Sequence, residues 1–253
     1  MGGGYRPAVI RLLGALAVAV ALGLGGSSAE AQPPSALRVL FLGNSLTATN
    51  DLPATVARIA SRSGRRLEYR MVAPGGYALE DHWNHDESRA ALAGGRWDVV
   101  VMQQGPSALP ESQANLREFA LRWSAEARAS GTRLALLTVW PDSYRRGALT
   151  EVIASYRRAA TRAQAELLPG GDAWRRAWHC EPGTPLYGRD GFHPSELGTY
   201  TAALVVYGRL FRAPLVGGKP PSGVGPRTAQ LVQWAAATSL GRRLQRARRC
   251  GRV

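Results

Sequence analysis

Three short apolar runs, each stopped by glycine or proline and each followed by a helical stretch, constrain this chain most strongly. Leu37 to Leu42 is stopped at Gly43, and Val99 to Met102 runs into Gln103-Gln104-Gly105-Pro106. Leu134 to Val139 ends at Trp140-Pro141. Such uninterrupted runs suit strands covered on both faces. Leu67, Tyr69 and Met71 alternate with polar residues in a further strand that ends at Pro74-Gly75-Gly76, and Leu167-Leu168 supplies a short fifth. Helices are expected from Asp51 to Ser63, with Pro53 early and Gly64 as the stop, and from Tyr77 to Gly94-Gly95. Others are expected from Glu111 to Ala129, Leu149 to Glu166, Ser195 to Phe211 (Ser195 as N-cap) and Thr228 to Arg249. Pro182 to Phe192 reads as loop and residues 212–227 as a Pro/Gly-rich linker. Strands alternating with helices predict a parallel sheet with helices on both faces, an α/β fold.

In such sheets, chemistry gathers at the carboxyl ends of the strands. Ser45 directly follows the break after the first strand, within Leu40-Phe41-Leu42-Gly43-Asn44-Ser45-Leu46-Thr47. Taken alone it is an ordinary turn residue. Far downstream, Asp190-Gly191-Phe192-His193 places an acid and a base three residues apart, and His193 is one of only four histidines. A serine nucleophile requires a base to take its proton and a carboxylate to orient that base. Ser45, His193 and Asp190 meet that requirement. No Gly-x-Ser-x-Gly elbow, phosphate loop or dinucleotide glycine pattern is present.

Gly43-Asn44-Ser45-Leu46 near the N-terminus, with Asp190-x-x-His193 near the C-terminus, resembles the SGNH hydrolase superfamily of GDSL-type esterases and lipases. The likeness covers about Leu37 to Phe211; Asn44 stands where the family usually has aspartate. The resemblance implies a flavodoxin-like three-layer α/β/α sandwich around a central, mostly parallel five-stranded sheet. It implies a serine esterase without cofactor, with Ser45 as nucleophile, His193 as base and Asp190 as orienting acid. The substrates it implies are small-molecule or carbohydrate esters, O-acetyl groups included. Backbone N–H groups of Ser45 and Gly76 would form the oxyanion hole. The family's third donor is an asparagine in a Gly-x-Asn-Asp block; in this chain Ser107 holds that place, and Gln103 or Gln104 offers the amide chemistry instead. The alternative from another class is an inactive domain of the same fold that binds anionic polysaccharide.

Residues 1–31 read as a secretory signal peptide. Arg6 and Arg11 precede an apolar run from Leu12 to Leu24, and Ala29-Glu30-Ala31 offers a cleavage site, so a secreted or periplasmic protein is expected. Cys180 and Cys250, the only cysteines, can pair there or remain thiols. The formal charge is +14, and six arginines fall between Arg242 and Arg252. This tail is either a solvated helix face or a contact for anionic polymer; no specific nucleic-acid partner is expected, and the chain reads as a monomer. His82 and His85 share a spacing compatible with zinc, but no third ligand is evident, so surface histidines and no metal are expected. Trp83, Trp140 and Tyr144 suit either a substrate pocket or the core.

Overall fold

The computed structural model describes residues 1–4, 35–215 and 218–242. Most of the expected signal peptide, Cys250 and the arginines beyond Arg242 lie outside the described residues.

The apolar runs form one all-parallel sheet of β1 (Leu37–Leu42), β2 (Leu67–Val72), β3 (Val99–Met102), β4 (Arg133–Leu137) and β5 (Glu166–Leu168). Its spatial order is β2-β1-β3-β4-β5. Successive strand side chains point to opposite faces. Val39, Phe41, Val99, Val101, Ala135 and Leu137 therefore enter one core layer, while Leu40, Leu42, Val100, Met102, Leu134 and Leu136 enter the other. Both layers are buried, which explains why β3 and the parts of β1 and β4 beyond Arg38 and Arg133 are apolar at every position. Each fully buried Val or Leu contributes about 1.5–3 kcal/mol relative to exposure.

The first layer is closed by α2 (Leu52–Arg62), α7 (Gly170–Cys180), α8 (Glu196–Leu210) and α9 (Pro226–Ser239). The second is closed by α3 (Leu79–Trp83), α4 (Asp86–Ala93) and α5 (Pro110–Ala129), and α6 (Leu149–Ala163) contributes to both. A single turn, α1 (Ser45–Ala48), follows β1, and a 3₁₀ segment (Ser143–Ala148) precedes α6.

Four boundaries differ from the sequence expectation. The stretch after Tyr77 forms two helices broken at Asn84-His85 rather than one. Gln164 turns left-handed (φ 51°), ending α6 early and releasing Glu166 into β5. Helix α7 was not foreseen, because Gly170-Gly171 reads as a turn. Those glycines let the helix start against the end of β4, where a Cβ at Gly171 would lie 2.4 Å from the Val139 carbonyl oxygen. Helix α9 ends at Ser239 rather than Arg249: Gly241 N–H bonds Thr238 O at 3.0 Å and Arg242 N–H bonds Ala237 O at 3.1 Å, a Schellman stop.

Helix α9 packs on α7 and α8 and belongs to the same compact unit as the sheet. The described part of the expected linker holds neither helix nor strand up to Gly225, Pro226 and Arg227 open α9, and Ala213 and Leu215 are buried. Cys180, at the end of α7, is disulfide-bonded; the expected partner Cys250 is outside the described residues.

The chain runs from β1 outward to β2 and then returns to place β3 on the other side of β1. This reversal puts the crevice of the sheet beside the β1 carboxyl end. Ser45 starts there.

Candidate active site

The turn after β1 is held at every peptide. Gly43 is required by close approach, since a Cβ on it would lie 2.5 Å from both Gln103 Oε1 and Thr47 Oγ1. The Gly43 carbonyl accepts from His82 Nε2 at 2.8 Å, and the N–H at the other end of that peptide, Asn44 N, donates to Gln103 Oε1 at 3.1 Å. Asn44 caps α1 by accepting from Leu46 N at 3.1 Å, and its Nδ2 donates to the Tyr77 carbonyl at 2.9 Å. Ser45 opens the helical turn, half-buried, with neither its hydroxyl nor its N–H bonded within the described residues.

The β2 loop reaches the same place. Gly76 takes a left-handed φ of 78°, and its N–H has no partner among the described residues. Two unpartnered backbone donors, Ser45 N–H and Gly76 N–H, therefore belong to loops joined by the Asn44–Tyr77 bond.

Neither expected side-chain donor from the β3 loop is free. Gln103 Nε2 donates to Asn44 Oδ1 at 2.8 Å and to Gln104 O at 2.9 Å, which uses both amide hydrogens, and its Oε1 also accepts from Thr47 Oγ1 at 2.7 Å. The Ser107 hydroxyl donates to Gly105 O at 3.2 Å and accepts from Gln104 Nε2 at 2.8 Å, and Ser107 is buried. Gln104 Oε1 accepts from Leu79 N at 3.1 Å, while Tyr156 OH donates to Gln104 O at 2.6 Å. The β3 loop is thus a frame that braces the β1 turn and the start of α3. The amide of Gln103 and the hydroxyl of Ser107 are thus engaged within the protein, bracing the loops around Ser45.

Asp190 and His193 are joined as the sequence spacing requires. His193 Nδ1 lies 2.5 Å from Asp190 Oδ2, and Asp190 Oδ1 accepts from the backbone N–H groups of His193 and Phe192 at 3.0 Å each. The bond from His193, helped by these N–H donors, lowers the Asp190 carboxyl to about 2. An ionised carboxylate only accepts, so Nδ1 carries the proton and Nε2 presents a lone pair.

Three contacts seat this loop. Trp140 Nε1 donates to Phe192 O at 3.2 Å, Ser143 N donates to Gly191 O at 2.7 Å, and Tyr187 OH donates to Pro141 O at 2.7 Å. Trp140 itself is stacked on Trp174, with ring centroids 3.5 Å apart. Ser195 then caps α8 by accepting from Gly198 N at 3.1 Å. A bond from Asn50 Nδ2 to Pro194 O, 2.9 Å, ties the end of the Ser45 turn to the residue after His193. Ser45 Oγ and His193 Nε2 have no hydrogen bond to each other; such contacts often tighten only with substrate bound.

His82 is not a surface residue. It is fully buried, bonded by Nδ1 to Ser88 Oγ at 2.8 Å as well as to Gly43 O. Burial lowers its pKa from the ordinary 6.5. His85 is half-buried, its Nδ1 3.2 Å from Ser88 Oγ. No group of three or more His, Cys, Asp or Glu among the described residues is placed to hold a metal ion. Trp140 is core, Trp83 packs edge-on against Trp123, and Tyr144 is 95% exposed on the 3₁₀ segment. Tyr77 and Asn50, which complete the frame, carry no local sequence signal.

No family model matches the chain, and no curated protein does. Solved structures do. A DUF4886 family protein from Bacteroides uniformis superposes with a TM-score of 0.71 at 20% identity, over 81% of this chain and 95% of its own. A lipase/acylhydrolase from Enterococcus faecalis gives 0.56 at 17% identity, over 74% and 100%. These two share the fold. A candidate SGNH hydrolase from Slackia heliotrinireducens gives 0.61 at 29% identity, over 70% of this chain and 100% of its own. With the Ser45 turn at the sheet reversal and the bonded Asp190–His193 pair, the likeness to the Slackia protein places the chain in the SGNH hydrolase superfamily.

Proposed function

We propose that this protein is an exported serine esterase in which Ser45 is the nucleophile, His193 the base and Asp190 the acid that orients it. The observation that carries the reading is the His193–Asp190 bond, which leaves Nε2 bare beside the loop tethered to the Ser45 turn. In the reaction, Nε2 takes the Ser45 hydroxyl proton as Oγ attacks the ester carbonyl, and the carboxylate of Asp190 stabilises the resulting imidazolium. The negative charge on the carbonyl oxygen meets the N–H groups of Ser45 and Gly76, neither of which has another partner to give up among the described residues. The imidazolium then protonates the departing alkoxide, leaving an acyl-Ser45 enzyme. Water, deprotonated by the same nitrogen, releases the acid and restores the serine. The steps use only side chains and backbone of this chain.

Small carboxylic esters, O-acetyl groups on carbohydrate among them, are the proposed substrates. Exposed Tyr144 beside the His193 loop and exposed Leu109 beyond Ser107 offer apolar surface to an acyl or sugar group. Export rests on the sequence of residues 1–31.

Ser45→Ala should abolish p-nitrophenyl acetate turnover and fluorophosphonate labelling while thermal melting stays near wild type, a loss of about 10⁴-fold or more in kcat. Undiminished turnover by this variant would sink the proposal.

A further inference from the structure

Among the four histidines, one that the proposed reaction does not use is fully buried against the nucleophile turn. His82 stands on α3, directly after the loop that carries Gly76, and reaches back to the Gly43 carbonyl at 2.8 Å. A carbonyl oxygen can only accept, so Nε2 carries the proton. In the neutral ring Nδ1 is then bare, and it accepts the Ser88 hydroxyl proton at 2.8 Å. Ser88 is itself fully buried on α4, and Tyr77 lies edge-on to the ring with centroids 5.2 Å apart.

The consequence lies one peptide further along. His82 holds the carbonyl end of the Gly43–Asn44 peptide and Gln103 Oε1 holds its N–H end, so the plane of that unit cannot rotate. The following peptide has its carbonyl bound as well, since Asn44 O accepts from Thr47 N at 2.9 Å and Ala48 N at 3.0 Å. Its remaining group is the N–H of Ser45, whose direction is thereby set. His82 also belongs to the segment that presents Gly76 N–H, so one imidazole links the two loops that supply both donors. Donors that are aimed before charge develops are worth far more than donors that must reorganise.

We propose that His82, as the neutral Nε2–H tautomer set by the Gly43 carbonyl and seated by Ser88, is the positioning residue that aligns the Ser45 and Gly76 N–H groups on the developing oxyanion. The proposal rests on the esterase reading of the same site, and its tests include one that needs no turnover.

Three variants separate the roles. His82→Leu removes the bond to Gly43, His82→Gln keeps an N–H that can reach the same carbonyl, and Ser88→Ala leaves the ring but removes the Nδ1 partner that seats it. With p-nitrophenyl acetate, His82→Leu should lose about 10²-fold in kcat with KM unchanged, and His82→Gln should recover most of it. Ser88→Ala should fall between them. Nitrogen-15 NMR of the wild-type protein should show His82 protonated at Nε2 and bare at Nδ1. The amide resonances of Ser45 and Gly76 should move together in His82→Leu, and less in His82→Gln. If wild type proves inactive on esters, the functional reading fails, while the tautomer and amide shifts still decide the clamp. If His82→Leu does not fold, the comparison of Ser88→Ala with His82→Gln decides it. An Nδ1-protonated ring, unmoved Ser45 and Gly76 amides, or wild-type kcat in both Ser88→Ala and His82→Leu would overturn the proposal.

Discussion

Gln103 offers the sharpest contrast between supporting a site and acting in it. It is buried, and its amide makes four hydrogen bonds: it accepts from Asn44 N and Thr47 Oγ1 and donates to Asn44 Oδ1 and Gln104 O. Gln103→Leu keeps much of the volume and removes all four. Three of the abandoned partners have somewhere else to turn. Gln104 O keeps Tyr156 OH at 2.6 Å, Asn44 Oδ1 keeps Leu46 N at 3.1 Å, and the Thr47 hydroxyl can rotate. Asn44 N–H has nothing else, and a buried donor left unpaired costs about 1–3 kcal/mol. Adding the net worth of the lost bonds gives about 3 kcal/mol of destabilisation. For a domain of this size that lowers Tm by about 6–12 °C.

Activity should fall too, by about 10²-fold in kcat, because the peptide that aims Ser45 N–H loses one of its two restraints. Calorimetric melting and p-nitrophenyl acetate kinetics on the same preparations give both numbers. A direct oxyanion donor would behave differently, losing kcat with little change in Tm. A Gln103→Leu protein with wild-type Tm and a collapsed kcat would therefore return Gln103 to the oxyanion hole and refute the bracing role. Ser107→Ala is the companion measurement. Its hydroxyl bonds only within its own loop, so kcat should stay near wild type.

Two further outcomes follow from charge. Asp190→Asn should lower kcat by about 10⁴-fold, as an amide cannot enforce the Nδ1–H tautomer. Because the Asp190 carboxyl is lowered from 3.8 to about 2, its bond to His193 is fully present above pH 3.8 and is lost as pH falls toward 2. Titration of Asp190 should accordingly leave no inflection in a pH–rate profile measured above pH 4. His82 has its pKa lowered by burial, with Asp81 opposing and His85 reinforcing, so the unfolded chain binds its proton more readily. Its contribution to stability is complete above pH 6.5 and declines as pH falls below that value. Urea midpoints should drop on the acid side in wild type and drop less in His82→Gln; equal slopes would contradict this.

The fold was legible because burial on two faces forces apolar residues throughout β3 and along β1 and β4 beyond Arg38 and Arg133, and turn residues mark their ends. Ser45, Asp190 and His193 were legible for a related reason: they sit at loop positions where no packing requirement explains them. Helix α7 was hidden by its own docking, since the glycines that let it meet β4 are the residues that usually signal a turn. His82 was hidden by distance. Its partner Gly43 is 39 positions away, and nothing in His82-Trp83-Asn84-His85 says that the intervening strand brings them together. Gln103 gave a partial signal, an amide extending an otherwise apolar strand toward the site. The chemistry of an amide suits a donor to an oxyanion and a brace for a peptide equally well, and only the partners distinguish them.

The sheet order explains why the brace and Ser45 coincide. Gly43 N–H still bonds Val72 O at 3.1 Å, and Gln103 N–H bonds Leu42 O at 3.0 Å, so the ladders on both sides of β1 continue to the first residue of the turn. From that point the β2 side supplies His82 and the Tyr77 carbonyl, and the β3 side supplies Gln103. A turn after an edge strand would have a neighbour on one side only, and one end of its first peptide would face solvent. After β1, placed between the strands that precede and follow the chain reversal, both ends can be bound by protein. The N–H of Ser45 is then left without a partner because the groups around it are committed elsewhere, and a donor in that state is available to a charge that arrives only during reaction.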